Sequence, residues 1–594
     1  MSLVLGINAY HGDSAACLLK DGRIAAAAEE ERFRRIKHWA GFPSEAIKYC
    51  LGAAGVGLGD LDCVAINRDP RANFLRKLRH MLSKRPDLPV LLDRVRNQRK
   101  WSSVQEELEK SFPGESFRGT VDRIEHHLAH LGSAFMVSPF KQAAVASIDG
   151  LGDFSSACWG VGIDADIEVY GRIHFPHSLG TFYEAMTQYL GFPHYGDEYK
   201  VMGLAAYGEP TFMKEMRRIV SLNADGTFNL DLKFFRHDKE NVNYNWRDCA
   251  PSIGRLYTPA LEEMLGAARA KDEAITGRHR DIARSVQAIY EEAFFNLLNS
   301  LHSRCGLDCV ALAGGCAMNS VANGKIYSNT PFKRIFVQAA AGDAGGAVGA
   351  AFLAWRRLGN GARDFVMKHA YWGPEFTADD FSRTIAENRD QFEAGHCCVQ
   401  RIEDEDELCR RTVQTIARGG VVGWFQGRME WGPRALGNRS ILCDPRRADM
   451  KEILNRKIKR RESFRPFAPS ILRDSVAEWF ETDDDVPFMT SVFQIREDRR
   501  KVIPAVTHVD GSGRLQTVER HANPLYWRLI KTFGDRTGVP ILLNTSFNEN
   551  EPVVCRPEEA LDCFLRTGMD VLVLGQYFIE RRESQEGVPL EASK

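Results

Sequence analysis

The sequence lacks net charge. Its 594 residues contain 78 lysines and arginines against 79 acidic residues, a formal charge of -1. This balance argues against a protein that binds nucleic acid through bulk positive charge. Hydrophobic residues make up 44% and charged residues 26%, so the chain has the composition of a folded protein rather than a disordered one. Its length predicts two to four domains.

The sequence also lacks paired cysteines, long apolar runs and short repeats. None of its 14 cysteines forms a C-x-x-C pair, which excludes a disulfide framework and a structural zinc site. Reduced thiols in a cytoplasmic protein are the expected state. No run of about 18 apolar residues occurs, and the first residues lack the basic region of a secretory signal. We therefore expect no membrane span.

Apolar runs that end in glycine or aspartate recur along the first 360 residues. The run 3–9 ends at His-Gly-Asp-Ser, and the run from Gln142 reaches Asp149-Gly150. Two strand-Asp-Gly-strand units, about 140 residues apart, predict an internally duplicated α/β domain with a ligand in its cleft. Two more runs end at Gly314-Gly315 and at Gly342-Asp343, where glycine lets backbone N–H groups approach a nucleotide.

Composition also predicts the domain boundaries. Residues 356–400 are polar and rich in breakers, so we expect an N-terminal domain over 1–362, a linker over 363–399 and a second α/β domain over 400–582. Residues 583–594 are predicted to be a frayed tail. The arginine- and lysine-rich segment 66–118 is interpreted as a solvated helical insertion.

A metal site is predicted from two histidines and two aspartates. On a helix, His126 and His130 project from one face, whereas His127 points elsewhere. Such a pair alone is as often an ordinary surface or core feature. Asp149 and Asp343, each at the end of a predicted strand, favour the metal interpretation. Two imidazoles with two carboxylates suit iron, manganese or zinc.

His11 lies in the first turn after a strand. A histidine in a cleft beside a carboxylate is suited to act as a general base on a hydroxyl. On the motif alone, a histidine that caps backbone groups is the favoured alternative.

The C-terminal half contains a dense run of cations over 426–440 and 455–470, interleaved with glycine, proline and phenylalanine. This pattern differs from a solvated helical face and is typical of convergent phosphate binding. The alternative, a nucleic-acid surface, would require a basic domain with exposed aromatics. Arg514 and Ser546 follow later strands, and none of these segments is a Walker A loop.

These segments together resemble the bacterial O-carbamoyltransferases, which include enzymes that modify nodulation factors, aminoglycosides and cephems. The resemblance covers nearly the whole chain. The segments that carry it are EEERFRRIKH (29–38), HHLAH (126–130), DGLGD (149–153), EYKVMGLAAYG (198–208), LAGGCAMN (312–319), AAGDAGGAVGAA (340–351), GRMEWGPRALGNRSILCDPR (427–446), KRRESFRPFAPS (459–470) and NTSFNENEP (544–552).

The resemblance implies an α/β protein with two active sites. The N-terminal domain is expected to be an actin-like ATPase domain, a duplicated ribonuclease-H-like fold. The C-terminal domain is expected to be α/β and similar to threonylcarbamoyl-adenylate synthase. In the family, the C-terminal domain forms carbamoyladenylate from carbamoyl phosphate and ATP, with Mg²⁺ accompanying the ATP. The N-terminal domain then transfers the carbamoyl group to an acceptor hydroxyl.

The resemblance also assigns residues to these sites. ATP and carbamoyl phosphate are matched by Arg434, Lys459, Arg465, Arg514 and Ser546. The metal, Fe²⁺ first with Mn²⁺ or Zn²⁺ as alternatives, is matched by His126, His130, Asp149 and Asp343. The catalytic residues are matched by His11 as base, with Asp13 and Lys37. The carbamoyladenylate in the transfer domain is matched by Glu198, Lys200, Gly314, Gly315 and Asn319. Relatives commonly have His-Asp where this sequence has His-Gly-Asp, so the inserted glycine moves Asp13 by one position.

The resemblance predicts a small-molecule natural-product acceptor, as in antibiotic biosynthesis, and no nucleic-acid partner. Two alternatives remain open. One is a tRNA-modifying enzyme of the threonylcarbamoyl class, and the other is an actin-like ATP-binding scaffold without activity. Family members are often dimers, but no segment of this sequence indicates an interface. The segments 66–118 and 209–280 are the candidate walls of the acceptor cleft, and their sequences contain no pattern that indicates a particular acceptor.

Overall fold

The computed structural model describes residues 2–84, 104–240, 242, 244–245, 250–359 and 362–582. The expected tail 583–594 and part of the insertion 66–118 lie outside these residues. The strands are β1 Leu3–Asn8, β2 Ala15–Lys20, β3 Arg23–Glu29, β4 Cys63–Ile66, β5 Thr120–Arg123, β6 Gln142–Gly152, β7 Ser155–Ile163, β8 Asp166–His174, β9 Val220–Leu222, β10 Phe228–Leu230, β11 Tyr244–Asn245, β12 Ser252–Ile253, β13 Cys309–Ala313, β14 Arg334–Val337, β15 Cys397–Arg401, β16 Val422–Phe425, β17 Arg439–Cys443, β18 Ala468–Leu472, β19 Ser491–Gln494, β20 Ser512–Val518, β21 Ile541–Ser546, β22 Val571–Leu574 and β23 Tyr577–Arg581.

The α-helices surround these strands. They span Glu31–Arg34, Ser44–Ala54, Phe74–Lys84, Val104–Ser111, His126–Phe135, Leu179–Tyr189, Glu198–Leu204, Met213–Ile219, Pro259–Leu265, Gly277–Cys305, Ser320–Gly324, Ile326–Asn329, Gly345–Arg357, Ala378–Glu387, Arg389–Ala394, Glu405–Ala417, Met450–Leu454, Val476–Trp479, Glu497–Arg500, Pro524–Thr537 and Pro557–Arg566. Among the described residues, none of these helices is long and apolar enough to cross a membrane.

The N-terminal half contains the same five-stranded sheet twice. The first sheet has the order β3-β2-β1-β4-β5 and the second the order β8-β7-β6-β13-β14. In both, the first three strands in sequence form antiparallel neighbours, and the last two add in parallel. The predicted internal duplication is therefore confirmed, with the actin-like arrangement that the resemblance implied.

Small residues allow the two halves of the N-terminal domain to pack closely. A Cβ at Gly6 would lie 2.0 Å from the carbonyl oxygen of Ala347, and one at Gly349 would lie 1.7 Å from that of Ala129. The helices His126–Phe135 and Gly345–Arg357 therefore pack at a distance that only glycine permits. Asp343 lies two residues before the second of these helices, so this packing places it beside the first.

The C-terminal domain is a mixed nine-stranded sheet of order β15-β23-β22-β16-β17-β21-β18-β20-β19. Trp424, Ile441 and Leu572 are completely buried in its core. The segment 363–399, expected to be a linker, contains two helices, Ala378–Glu387 and Arg389–Ala394, and the start of β15. Although this segment is mostly polar, its side chains Phe381 and Phe392 are buried and belong to the C-terminal core.

The two domains meet through the backbone of Gly432. Its N–H donates to Glu29 Oε1 at 2.8 Å, and its carbonyl accepts from Arg32 Nη2 at 2.8 Å. Arg35 donates to the carbonyl oxygens of Pro552 and Val553. These charge-assisted bonds between distant segments fix the C-terminal site against the N-terminal domain.

Candidate metal and anion sites

Four buried side chains converge at the cleft of the N-terminal domain. His126 Nε2 and His130 Nε2 each lie 3.1 Å from Asp149 Oδ2, and the two nitrogens lie 3.1 Å from each other. Asp343 Oδ1 lies 3.4 Å from His130 Nε2 and 3.6 Å from His126 Nε2. One ligand atom from each residue falls within 4.8 Å of all the others. The structure therefore brings together all four residues that the sequence suggested for the metal.

Local structure explains this convergence. His126 and His130 are one turn apart on the helix His126–Phe135, which Glu125 caps by accepting a bond from Leu128 N at 2.8 Å. Asp149 belongs to β6, and its Oδ1 accepts from Gly315 N at 2.8 Å. A hydrogen bond to one carboxylate oxygen leaves the other oxygen oriented toward the histidines.

The donor set fits a divalent metal. Within the described part of the chain, Asp343 Oδ1 is buried and accepts no hydrogen bond. A buried carboxylate oxygen without a partner is costly unless a cation occupies the space in front of it. Two imidazole nitrogens and two carboxylate oxygens suit a first-row divalent ion, and the metal identity stays a prediction.

His11 adjoins this cluster. Its Nδ1 lies 2.8 Å from Asp343 Oδ2, so one carboxylate joins the candidate base to the candidate ligands. Asp13 lies elsewhere, because its Oδ1 contacts His38 Nδ1 at 2.7 Å. His127 faces Ser147 Oγ at 2.9 Å, and burial lowers its pKa to about 3. His127 thus points away from the cluster, as the helical spacing indicated.

The residues suggested for carbamoyladenylate lie in two different places, and Gly314, Gly315 and Asn319 share the first. Gly314 has φ +90, and a Cβ there would lie 2.2 Å from the carbonyl oxygen of Ile148. Gly314 and Gly315 directly follow β13, and their backbone therefore lies close to β6 beside Asp149. Asn319 caps a helix by accepting from Ala322 N and also pairs with Gln287. Their contacts with a nucleotide stay a prediction.

Glu198 and Lys200 lie on one short helix near the C-terminal domain. Burial raises the pKa of Glu198 to about 7. Lys200 Nζ contacts Asp197 Oδ1 at 2.9 Å and Glu462 Oε1 at 3.5 Å. Lys37 is nearby, and burial, with the charges of Arg465 and Lys200, lowers its pKa. Lys37 and Lys200 thus belong to the boundary between the domains rather than to the metal cluster.

A second concentration of charge lies in the C-terminal domain. Burial, and then the charge of Arg465, lowers the pKa of Arg434 to about 10. Burial and the charges of Arg434, Arg461 and Arg465 hold the pKa of Arg514 well below its ordinary value. Arg514 Nε is buried without a hydrogen-bond partner among the described residues. Mutually repelling, desolvated guanidinium groups are typical of a site for a polyanion.

Lys459 differs from these arginines. Its ammonium is buried and donates to Ser546 O at 2.6 Å and to both oxygens of Asn548 at 2.7 Å. Lys459 and Ser546 therefore come together as the sequence suggested, and Lys459 fixes the end of β21. Its contact with a phosphate stays a prediction.

Sequence reasoning did not select Arg461 or Tyr199. Burial and the charge of Arg465 lower the pKa of Arg461 to about 9, and Arg465 stacks over the Tyr199 ring at 4.6 Å. Arg460 precedes Arg461 with φ +40 and contacts Glu549 instead. The only signal in the sequence was the Lys-Arg-Arg run itself, which does not distinguish its two arginines.

Two family models match this chain, one in each half. The model of the carbamoyltransferase N-terminus matches residues 3–352, and that of the carbamoyltransferase C-terminus matches residues 413–581. The chain belongs to the carbamoyltransferase family. It is therefore an enzyme with carbamoyl transfer activity, and each matched region contains one of the two sites.

Two relatives of this carbamoyltransferase span nearly all of it, and a third spans about half. An uncharacterized protein of Synechocystis sp., sll1178, is 39% identical over 98% of this chain and 97% of its own. Nodulation protein NolNO of Sinorhizobium fredii is 39% identical over 97% of this chain and 80% of its own. A 3'-hydroxymethylcephem-O-carbamoyltransferase of Amycolatopsis lactamdurans is 34% identical over 46% of this chain and 49% of its own.

Proposed function

We propose that this carbamoyltransferase makes and uses carbamoyladenylate. In the C-terminal domain, carbamoyl phosphate and water give carbamate and phosphate. The carbamate oxygen then attacks the α-phosphorus of ATP, with Mg²⁺ bound to the nucleotide, and pyrophosphate leaves. In the N-terminal domain, an acceptor hydroxyl attacks the carbamoyl carbon, and AMP leaves. The product is the carbamate ester of a small-molecule alcohol.

The arginines of the C-terminal domain support the first step. Arg434, Arg461 and Arg514 are desolvated, and the positive charge of Arg465 lowers the pKa of all three. Both co-substrates and the departing pyrophosphate are polyanions, and preorganised guanidinium groups stabilise charge on such oxygens. A ligand of that charge would relieve the repulsion within the cluster, which no acidic ligand of single charge could do as fully.

The pair of His11 and Asp343 supports the second step, and it is the observation that carries this proposal. Because Asp343 Oδ2 accepts from His11 Nδ1 at 2.8 Å, the ring is held in the tautomer whose Nε2 can accept a proton. His11 would take the proton of the attacking hydroxyl, and Asp343 would stabilise the resulting imidazolium.

His126, His130, Asp149 and the other oxygen of Asp343 would hold the metal. When bound there, a divalent ion supplies positive charge that stabilises the phosphate of the adenylate. Asp343 would therefore serve both the base and the metal, one carboxylate oxygen for each.

The proposal is tested with the full chain, ATP and carbamoyl phosphate. We expect release of pyrophosphate without an acceptor and, with an alcohol that is accepted, AMP and a product heavier by one carbamoyl group in mass spectra. His11→Gln should lower carbamoyl transfer by about a hundredfold or more. His521→Gln, at a largely exposed histidine of the C-terminal domain, is the matched control. Carbamoyl transfer at the wild-type rate by His11→Gln would refute the role of His11 as the general base.

A further inference from the structure

A cavity of about 500 Å³ opens at the turn that follows β6, the strand that contains Asp149. Its walls are residues 75–80 of the helix Phe74–Lys84, the turn between β6 and β7, and the end of β8 with the residue after it. Leu75, Arg76, Arg79, His80, Phe154 and Phe175 line it. Its volume is in the range of small-molecule sites, and none of the steps described so far uses it.

Three rings form one wall of the cavity. The centroids of His80 and Phe154 lie 5.7 Å apart, those of His80 and Phe175 lie 5.1 Å apart, and those of Phe154 and Phe175 lie 5.4 Å apart. Leu75 adds an apolar side chain that is 78% exposed. Aromatic faces and edges at these separations bind planar or apolar groups. The wall therefore suits a ring or a short apolar chain.

Two arginines supply charge at the same cavity. Arg76 and Arg79 are exposed, and neither forms an ion pair or hydrogen bond with any residue in the described ranges. On the same helix, Lys77 Nζ donates to the carbonyl oxygen of Pro70 at 3.0 Å. The carboxylate of Asp153, the nearest acid in the turn, accepts two backbone N–H groups. Among the described residues, the cavity thus presents two guanidinium groups whose donors have no partner, and such groups suit a carboxylate, sulfate or phosphate.

The cavity is tied to the transfer site by Asp153. Asp153 Oδ2 accepts from His126 N at 3.0 Å, at the start of the metal-ligand helix, and from Asp69 N at 2.7 Å. Asn73 Nδ2 donates to Asp153 O at 2.9 Å and immediately precedes the helix that forms the wall. One residue therefore joins the metal-ligand helix to the cavity.

The backbone of this turn is strained. Phe154 has φ +73 and Asp153 has φ +46, and the left-handed region is unfavourable for an aromatic residue. That conformation directs the Phe154 ring against His80 and Phe175 while Asp153 turns back to His126. A strained position of this kind, between a cavity and a catalytic cluster, is typical of a binding site.

We propose that this cavity is the acceptor subsite, and that the acceptor is an alcohol that carries both an apolar ring or chain and an anionic group. The inference rests on the proposed function, because it names the class of the hydroxyl compound used in the second step. The rings would hold the apolar part, and Arg76 and Arg79 would bind the anion.

The test compares two acceptors of equal shape, para-hydroxymethylbenzoate and para-hydroxymethylbenzamide, with the full chain, ATP and carbamoyl phosphate. Mass spectrometry measures carbamoylated product, and pyrophosphate release is followed in parallel. We expect kcat/KM for the benzoate to exceed that for the benzamide by about tenfold or more, as for a charge-assisted bond. In Arg76→Gln/Arg79→Gln the two values should become nearly equal.

Two further variants separate charge from shape. Arg71→Gln, at an exposed arginine just before the helix and outside the cavity, should keep the wild-type preference. Phe154→Asn removes the ring but keeps a residue that tolerates a left-handed backbone, and should raise KM for both acceptors by a similar factor.

The outcomes distinguish the two proposals. A wild-type enzyme that releases no pyrophosphate from ATP and carbamoyl phosphate contradicts the proposed function itself. Pyrophosphate release with no carbamoylation of the benzoate, or with the benzamide accepted equally well, overturns the anionic acceptor alone. A preference for the benzoate that persists in Arg76→Gln/Arg79→Gln also overturns it.

Discussion

Replacement of Arg434 by methionine tests whether the cationic cluster exists for an anionic ligand. Burial and the charge of Arg465 lower the pKa of Arg434 from 12.5 to about 10. At about 1.4 kcal/mol per pKa unit, this corresponds to about 3 kcal/mol. Because the folded-state pKa is the lower one and still lies above neutral pH, the side chain is charged at pH 7 and destabilises the unliganded fold by that amount.

Methionine has a similar length and no charge. Without ligands, Arg434→Met should therefore raise the urea midpoint of unfolding, by up to about 3 kcal/mol in free energy less the packing that is lost. Pyrophosphate release from ATP and carbamoyl phosphate should fall by about a hundredfold or more. The two changes have opposite signs, which a merely structural arginine would not produce. Urea titration followed by tryptophan fluorescence and a pyrophosphate assay measure them.

Arg447→Met is the matched control. Arg447 is in the same domain, is 40% exposed and contacts Asp449 at 2.6 Å, so its replacement should change stability by no more than about 0.5 kcal/mol. ATP with carbamoyl phosphate should also stabilise the wild type more than Arg434→Met. Loss of stability in the unliganded variant, or a wild-type rate of pyrophosphate release, would refute the assignment of the cluster to a polyanion.

Three further substitutions test the sites and their supports. Asp343→Ala removes one proposed metal ligand and should lower the Fe²⁺ retained after reconstitution by about tenfold or more, measured by elemental analysis. Gly432→Ala places a Cβ 2.5 Å from the carbonyl oxygen of Ala339 at φ +99. It should lower the free energy of unfolding by about 2 to 4 kcal/mol, whereas Gly52→Ala, with open space in a helix, should raise it by up to about 1 kcal/mol. Glu430 Oε1 accepts from the backbone N–H groups of Leu436, Asn438 and Arg439. Glu430→Gln should destabilise the loop that contains Arg434 by about 2 kcal/mol and lower pyrophosphate release. Glu452→Gln, at an exposed glutamate, is its control. Unchanged pyrophosphate release in Glu430→Gln would contradict this role.

The fold and the metal cluster could be predicted because their signals are local. Apolar strands that run into aspartate or glycine place these residues at the carboxyl end of a sheet, and Asp149 lies three residues before the end of β6. His126 and His130 face one side because the helical period requires it. The meeting of Asp149 and Asp343 with these histidines depends on tertiary packing, and the small residues that permit it, Gly349 among them, are visible in the sequence.

The anion site was less predictable because its members meet through tertiary packing. Lys459 lies at the end of a π-helical turn over Asn455–Lys459, which no periodicity in the sequence indicates. Arg460 follows with a left-handed backbone, so the side chains of Lys459 and Arg461 on either side of it point in different directions.

The pairing of Asp13 with His38 joins residues 25 positions apart, and the inserted Gly12 gives no indication of it.

The domain boundary explains why the two sites are built as one unit. Gly432 is held on both sides by N-terminal residues, Glu29 and Arg32, and Arg434 follows it by two positions. The N-terminal domain therefore sets the position of an arginine in the C-terminal site. In the other direction, Arg465 stacks over Tyr199 of the N-terminal domain. Since the proposed carbamoyladenylate would be exposed to water between separated domains, fixed contacts on both sides of the boundary would favour its transfer over its hydrolysis.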